Sequence, residues 1–194
     1  MTASPRQVHR AALLLFPGQS LNATTLDGIV TEGFTQVAAG VKITPIMPGQ
    51  GFTLEQAEAL ANLCTERRLG LIAFTGYMKY QYELLAREPH RLLRLAGQGK
   101  VTDLDGLAVR WLCPFRPENQ THYLGLLEQI CGWPAICEIH LNDEASLGMA
   151  GGRIGCYCDF CQADFAAKHG FTPPLTADWD DPRWYQWLAY RFEA

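Results

Sequence analysis

The stretch EIHLNDE, residues 138–144, contains the pattern on which the fold prediction depends. Side chains of a strand point alternately to its two faces, so the face of Ile139 and Leu141 is apolar and the opposite face, which ends at Glu144, is polar. We predict a strand over Ala135–Leu141 whose apolar face packs against helices and whose polar face points into a barrel. Glu144 would then lie at the C-terminal end of that strand, where barrel enzymes carry their catalytic groups. The alternative is a hydrated turn with surface acids.

Upstream of this strand, short apolar runs alternate with segments of helical periodicity. The apolar runs predict three earlier strands, at Ala11–Phe16, Phe34–Ala39 and Leu71–Thr75. The helical segments predict a short helix at Thr25–Glu32 and longer ones at Thr53 to about Leu69 and Pro117–Cys131. Thr53 and Gln56 have the spacing of a capping box, which marks a helix N-terminus. Lys100–Leu112 is predicted to form two short extended pieces with a turn at Asp105-Gly106.

Alternation of strands and helices predicts an α/β fold with a parallel sheet wrapped by helices, either doubly wound or a barrel. No GxGxxG sequence follows the first strand, which disfavours a dinucleotide-binding fold. A complete (β/α)8 barrel takes about 250 residues, and this chain has 194 with four predicted strands. We therefore expect one domain, 1–194, that forms the N-terminal portion of a barrel, a partial TIM barrel of about four βα units.

Three cysteines, Cys156, Cys158 and Cys161, form a CxCxxC sequence after the fourth strand. Thiolates at this spacing can bind one zinc ion, which requires four ligands in a tetrahedron. The candidates for the fourth ligand are Cys64, Cys113, Cys131 and Cys137. Cys64 and Cys131 lie on or near apolar helix faces, where a cysteine is usually buried, and Cys137 lies within a strand. We choose Cys113, because it precedes Pro114 in a loop. An iron–sulfur cluster and three free thiols are the alternatives.

The composition excludes several classes of protein. Hydrophobic residues make up 48% and charged residues 19%, which is typical of a globular chain and not of a disordered one. The formal net charge is −4 and there is no run of basic residues, so we expect no nucleic-acid partner. No apolar run reaches the roughly 18 residues that cross a bilayer. We expect a cytoplasmic protein with reduced thiols and no membrane partner.

The stretch Asp105–Phe165 resembles the family 42 glycoside hydrolases (β-galactosidases) and related barrel proteins of glycosidase type. In those proteins a Cys-Pro element follows the third strand, the fourth strand ends in Asn-Glu or Asp-Glu, and a CxCxxC element precedes a helix with a phenylalanine. The matching residues here are Cys113-Pro114, Tyr123, Asp143-Glu144, Cys156, Cys158, Cys161 and Phe165.

The resemblance implies roles for these residues. Glu144 would be the general acid/base, and Asp143 would bind substrate or support Glu144 where the β-galactosidases usually have Asn. The four cysteines would bind a structural zinc ion in a loop region spanning 113–165. The nucleophile of the family comes from a strand near the seventh, so we expect this chain to lack that half of the catalytic machinery.

Three functions follow as hypotheses. The first is a glycoside hydrolase with a carbohydrate substrate, present here as a truncated retaining β-glycosidase-like barrel. The alternative is a non-catalytic, zinc-stabilised carbohydrate-binding or scaffold module, and the third is a redox or metal-handling protein that uses its cysteines directly. A half barrel exposes sheet edges and apolar faces, so we also expect a homo-oligomer or poor solubility.

Overall fold

The computed structural model describes residues 10–14, 17–41, 51–76, 78, 82–97, 99–103, 111–141 and 154–192. The chain divides into two compact units. Unit 1 consists of Met1–Tyr77 and Leu126–Asp143, and unit 2 consists of Met78–Gly125 and Glu144–Ala194.

Strands and helices alternate along the described residues, as the apolar pattern predicts. The strands are β1 Ala11–Leu14, β2 Gln36–Val41, β3 Gly70–Thr75, β4 Arg94–Gly97, β5 Lys100–Asp103, β6 Ile136–Leu141 and β7 Ile154–Gly155. The α-helices are α1 Pro17–Ser20, α2 Ala23–Thr31, α3 Leu54–Glu66, α4 Tyr82–Arg87, α5 Pro117–Cys131, α6 Asp159–His169 and α7 Pro182–Phe192. A single 3-10 turn, Pro89–Arg91, precedes β4.

Unit 1 is built on a parallel sheet with the strand order β1-β2-β3-β6. Its four strands therefore lie side by side in the order in which they occur along the chain. A doubly wound sheet reverses its strand order at a switch point, and the described part of this sheet has no such reversal. The α/β class and the parallel sheet predicted from the sequence are both confirmed.

The two central strands bury one face of this sheet completely and the other face partly. On the buried face, Leu71 and Ala73 of β3 and Val37 and Ala39 of β2 have no exposed surface, whereas Ile72 and Phe74 on the other face are half-buried. Helix α3 packs on these two strands and buries the apolar stripe that its 3.6-residue period predicts. The helix begins where the sequence predicts: Thr53 accepts a hydrogen bond from the Gln56 backbone, and the Gln56 side chain accepts one from the Thr53 backbone.

Strand β6 differs from its prediction in burial. Ile139 is only half-buried and Leu141 is 44% exposed, so the apolar face predicted to pack against helices is largely open. The physical reason is position: β6 is the last strand of the described sheet and has a neighbour, β3, on one side alone. The polar face of β6 lies on the less buried side of the sheet. His140 pairs with Phe74 on that side, and their two rings lie 4.5 Å apart.

Unit 2 contains a small antiparallel sheet with the order β5-β4-β7. Strands β4 and β5 form a hairpin in which Gly97 pairs with Lys100, and Gly99 takes the positive φ of 74° that a tight turn requires. The extended piece predicted from Lys100 onward is therefore β5, with its partner before it in the chain. The predicted turn at Asp105-Gly106 lies outside the described residues.

Candidate metal centre

Four buried cysteines of unit 2 converge at one point. The sulfurs of Cys113, Cys156, Cys158 and Cys161 all lie within 4.8 Å of one another. The Sγ atoms of Cys113 and Cys161 are 3.4 Å apart, and those of Cys158 and Cys161 are 3.7 Å apart. These are the four residues predicted from the sequence as metal ligands. The structure brings them together although they lie up to 48 positions apart in the chain.

The backbone of residues 91–96 brings the two halves of the cluster together. On one side, the backbone N–H of Cys113 donates to the carbonyl of Arg91, and the N–H of Leu93 donates to that of Trp111. On the other side, β7 pairs with β4, and the N–H of Tyr157 donates to the carbonyl of Arg94. The segment that contains Cys113 and the segment that contains CxCxxC are thus held against adjacent parts of one continuous segment, which runs from the 3-10 turn into β4.

Gly155 allows a close approach where β7 meets β4. A Cβ atom at this position would lie 2.8 Å from Cδ2 of Leu95, 3.0 Å from Cδ2 of Leu93 and 3.2 Å from the carbonyl oxygen of Arg94. The first distance is shorter than real Cβ contacts and the other two are tight, so a larger residue would force the leucines or the strand to shift. The next residue is the ligand Cys156, and its position therefore depends on this close approach.

The start of helix α6 presents the last two cysteines. Cys158 is the N-cap residue, with extended backbone angles, and Cys161 lies in the first turn. The N-terminus of a helix carries a partial positive charge, which favours a thiolate. A CxxC pair at this place is therefore suited to binding a cation through sulfur.

Side-chain amides fix both cysteine loops. Asn119, which is fully buried, donates to the carbonyls of Arg91 and Cys113 at 3.1 and 2.8 Å. Gln120 donates to the carbonyl of Pro114, and Gln162 donates to that of Tyr157. Sequence reasoning missed these residues. A signal existed in the repeated six-residue spacing, from Cys113 to Asn119 and from Pro114 to Gln120, which places an amide of the first helical turn over the preceding loop.

The four thiols affect one another's pKa values, because their sulfurs lie within hydrogen-bonding distance. Hydrogen bonds from the other three sulfurs, with Cys113 contributing most, hold the pKa of the Cys158 thiol far below its usual range. Hydrogen bonding to Cys156 raises the pKa of Cys113, and hydrogen bonding to Cys113 raises the pKa of Cys161. The neighbouring sulfurs therefore favour the thiolate form of Cys158.

Aromatic side chains enclose the cluster. Phe165 of α6 makes edge contacts with Trp187 and Tyr190 of α7, at ring-centroid distances of 5.0 and 5.4 Å. The ring of Tyr157, between two of the cysteines, lies 4.7 Å from that of Trp187. All of these residues belong to the same buried cluster as the four cysteines. The cysteines therefore lie inside a small core and not at the surface.

The sulfur positions fit a single tetrahedral ion. Zinc binds thiolate sulfur at about 2.3 Å, so the edges of a regular tetrahedron of sulfurs are about 3.8 Å long. The observed separations of 3.4 and 3.7 Å and the 4.8 Å limit bracket that edge. The four cysteines could thus supply all four ligands of one metal ion.

The other three cysteines of the chain do not join this cluster. Cys64 is buried in unit 1 as predicted, and burial raises the pKa of its thiol to about 12. The burial expected for Cys131 is wrong, because that residue is exposed. The buried residues of α5 include Tyr123, Leu126 and Ile130, and Cys131 lies one residue beyond them on the solvent side. Cys137, in β6, is also exposed.

The predicted catalytic carboxylates, Asp143 and Glu144, lie outside the described residues. Of the polar residues that precede them, Glu138 and His140 are exposed on the less buried face of the unit 1 sheet. A Glu138 carboxylate oxygen lies 4.0 Å from Nδ1 of His140. No protein-family model and no curated protein matches this chain. Among the described residues, no helix has the length and apolar character needed to span a bilayer.

Proposed function

We propose that this chain is a glycosidase-like, carbohydrate-active protein of the (β/α)8 type, with one structural zinc ion bound by Cys113, Cys156, Cys158 and Cys161. The observation that carries the proposal is the convergence of four buried sulfurs, all within 4.8 Å of one another. It is the arrangement that the resemblance to family 42 glycoside hydrolases implies for these four positions.

Zinc is the ion that this ligand set favours. Four thiolates in a tetrahedral arrangement are typical of structural zinc, whereas magnesium and calcium prefer oxygen ligands. An iron–sulfur cluster is also bound by four cysteines, but its several metal atoms would hold the cysteine sulfurs farther apart than a single ion does. Separations of 3.4 and 3.7 Å between sulfurs therefore support a single ion.

The complete set of four protein ligands supports a structural role for the proposed zinc ion. A catalytic zinc keeps one position for water or substrate, while a structural zinc has four protein ligands. Here all four sulfurs are buried, and aromatic side chains surround them. Reactive cysteines, by contrast, are partially exposed. The same burial therefore counts against the hypothesis of a redox protein that uses these thiols directly.

The strand order of unit 1 supports the barrel. In a (β/α)8 barrel each parallel strand lies beside the next one in the chain, and the order β1-β2-β3-β6 follows this rule because β4 and β5 belong to unit 2. In such a barrel Glu144 follows the fourth parallel strand and acts as general acid/base, first protonating the glycosidic oxygen and then activating water. The second carboxylate would come from a later strand.

Metal content tests the zinc centre. Protein purified without chelator should contain one zinc ion per chain, and serine substitution of any of the four cysteines should abolish it. Cys64→Ser and Cys131→Ser are the matched controls, one buried and one exposed, and both should retain the ion. Absence of zinc from the wild-type protein, or its retention in all four variants, would contradict the proposal.

Hydrolysis tests the carboxylate. We expect the natural gene product to hydrolyse at least one member of a panel of aryl β-glycosides that includes β-galactosides. Glu144→Gln should lower that rate by about 10²-fold or more, the contribution of a positioned general acid. Glu138→Gln is the matched control, because it removes an exposed carboxylate of β6. Equal rates for the two variants would refute the role of Glu144.

A second candidate is a zinc-stabilised carbohydrate-binding or scaffold module without catalysis. It is favoured by the placement of the whole metal centre in unit 2, because the zinc ligands are complete without any residue from a later strand. This function predicts that the gene product binds oligosaccharides in titration calorimetry and hydrolyses none of the aryl glycosides. Hydrolysis that depends on Glu144 would exclude it.

A further inference from the structure

Two aromatic side chains are exposed near the start of α7. Trp179 precedes the helix and is 64% exposed, and Tyr185 lies in its first turn and is 51% exposed. In the described residues 154–192 these two are the exposed large hydrophobic side chains. Their ring centroids lie 6.0 Å apart at an interplanar angle of 65°, so the rings adjoin and form one aromatic platform. A ligand that covers this platform releases water from both rings, which favours binding.

Contacts within unit 2 hold both rings of the platform in place. The Tyr185 hydroxyl donates a hydrogen bond of 2.8 Å to the Trp179 carbonyl. The Trp179 ring packs edge-to-face on Trp184, at a centroid distance of 6.2 Å, and Trp184 is buried. A surface that is ordered before binding loses little conformational entropy when a ligand binds. The platform is therefore already in a form that a ligand can use.

Acidic side chains border the platform. Asp178 and Asp180 flank Trp179 in the sequence, and both are exposed. Asp178 accepts a hydrogen bond of 3.0 Å from the Asp180 backbone N–H, which fixes the turn between them. A third acid, Asp181, accepts from the Arg183 backbone N–H and pairs with the Arg183 guanidinium at 2.7 Å. Asp178 and Asp180 are therefore the carboxylates that can accept hydrogen bonds from a ligand on the platform.

The size of the platform argues for a small ligand. An aromatic side chain has roughly 150–250 Å² of surface, so the exposed parts of Trp179 and Tyr185 amount to about 250 Å² together. A stable protein–protein interface buries about 800 Å² on each partner, roughly three times as much. The platform is thus too small for a second copy of the chain or another protein, and its size suits a sugar.

The chemistry of the platform selects a neutral sugar. The face of an aromatic ring carries partial negative charge, and the C–H groups of a sugar ring are polarised positively by the oxygens on their carbons. Sugar hydroxyl groups donate hydrogen bonds, which carboxylates accept, whereas an acidic sugar would be repelled by Asp178 and Asp180. An organic cation fits less well, because the rings of Trp179 and Tyr185 adjoin and leave no gap between them to enclose it.

We propose that Trp179 and Tyr185, bordered by Asp178 and Asp180, form a surface binding site for a neutral oligosaccharide. The sugar stacks on the Trp179 indole and extends toward Tyr185, and its hydroxyl groups donate to the two carboxylates. This surface site deepens the carbohydrate function proposed above and rests on it for the class of ligand. It uses neither Glu144 nor the metal centre.

Titration calorimetry with cellotetraose, maltotetraose and galactotetraose tests the surface site. The titrations use the full chain with Glu144→Gln, so that hydrolysis at the proposed active site does not consume the probe. We expect one or more of these probes to bind, and Trp179→Ala to lower the affinity by about 10-fold or more, as for a central aromatic anchor. Asp180→Asn should lower it by a smaller factor, and tetragalacturonate should not bind.

Leu124→Ala is the matched control, because it also removes an exposed large hydrophobic side chain from unit 2. Its affinity for the probe should equal that of the parent protein. Trp179→Phe keeps an aromatic ring and should recover most of the affinity, which separates stacking from a loss of folding. Of the five tryptophans, all within the described residues, Trp179 alone is largely exposed. Bound sugar should therefore protect the parent protein, but not Trp179→Ala, from quenching of tryptophan fluorescence by acrylamide.

Failure of the surface site can be distinguished from failure of the proposed function. If no probe binds, or if Trp179→Ala binds as tightly as Leu124→Ala, the surface site is overturned, while Glu144-dependent hydrolysis of aryl glycosides would still stand. If probes bind through Trp179 and no glycoside is hydrolysed, the surface site stands and the hydrolase fails. Binding of choline in place of the probes would overturn the choice of a sugar. A wild-type dimer that Trp179→Ala dissociates in sedimentation would show an interface between copies and likewise overturn the site.

Discussion

Substitution of Gly155 by alanine tests whether close packing of β7 on β4 sets the geometry of the metal centre. The added Cβ would lie 2.8 Å from Leu95 and 3.0 Å from Leu93, two side chains with no exposed surface, and 3.2 Å from a backbone oxygen of β4. Since that backbone oxygen belongs to a paired strand, we expect β7 to shift away from β4 while the two leucine side chains adjust.

The structure allows the size of the effect to be worked out. Inserting one methyl group into a well-packed core costs about 1–3 kcal/mol, which is a fall of roughly 5- to 150-fold in the folding equilibrium constant. Movement of β7 also displaces the adjacent ligand, Cys156. We therefore expect Gly155→Ala to lower both the free energy of unfolding and the affinity for zinc.

Denaturant unfolding with bound zinc and chelator competition on the folded protein measure these two effects. Gly125→Ala is the matched control, because a Cβ at Gly125 meets no atom within 4 Å. In the interior of α5 that change should stabilise the protein by about 0.5–1 kcal/mol. If Gly155→Ala has the same unfolding midpoint and the same zinc affinity as the wild type, the reasoning is refuted.

Two further changes test the surroundings of the centre. Asn119→Ala removes the two hydrogen bonds that this buried amide donates to the carbonyls of Arg91 and Cys113 and should cost about 1–3 kcal/mol. We expect faster zinc release to a chelator; unchanged release would show that the amide does not position the loop. Hydrogen bonds from Lys168 and then Tyr190 lower the pKa of Asp164 in the folded protein. The stability that this carboxylate contributes is therefore fully present above its unfolded pKa of about 3.9. It is lost as the pH falls through the lower pKa of the folded state. Asp164→Asn should therefore flatten the loss of stability below about pH 4 in acid titrations of unfolding, and an unchanged acid limb would contradict it.

Local signals in the sequence were enough to predict the main helices. The range Pro117–Cys131 is both the predicted and the observed extent of α5, and α3 begins after the predicted cap, Thr53. Proline at the start of a helix and a capping box act within one turn of the backbone, so they can be read without knowledge of the fold.

Features that depend on distant partners could not be predicted in this way. Strand β7 has two residues in a glycine-rich stretch, and it is a strand only because β4 pairs with it. Cysteine spacing identified three of the ligands, because each pair of thiols within CxCxxC can reach one ion. Cys113 was identified by its position in a loop before Pro114. The exposure of Leu141 likewise reflects the place of β6 at the end of the described sheet.

The distance along the chain between Cys113 and Cys161, 48 positions, gives the proposed ion a thermodynamic role comparable to that of a disulfide bond. A cross-link that closes a loop of this length removes conformational entropy from the unfolded chain worth about 4 kcal/mol in the loop-closure description. A disulfide provides that gain only under oxidising conditions, whereas thiolates bind zinc in their reduced form. Unit 2 would thus keep a long-range cross-link in a reducing environment, and a chelator would act on it as a reductant acts on a secreted domain.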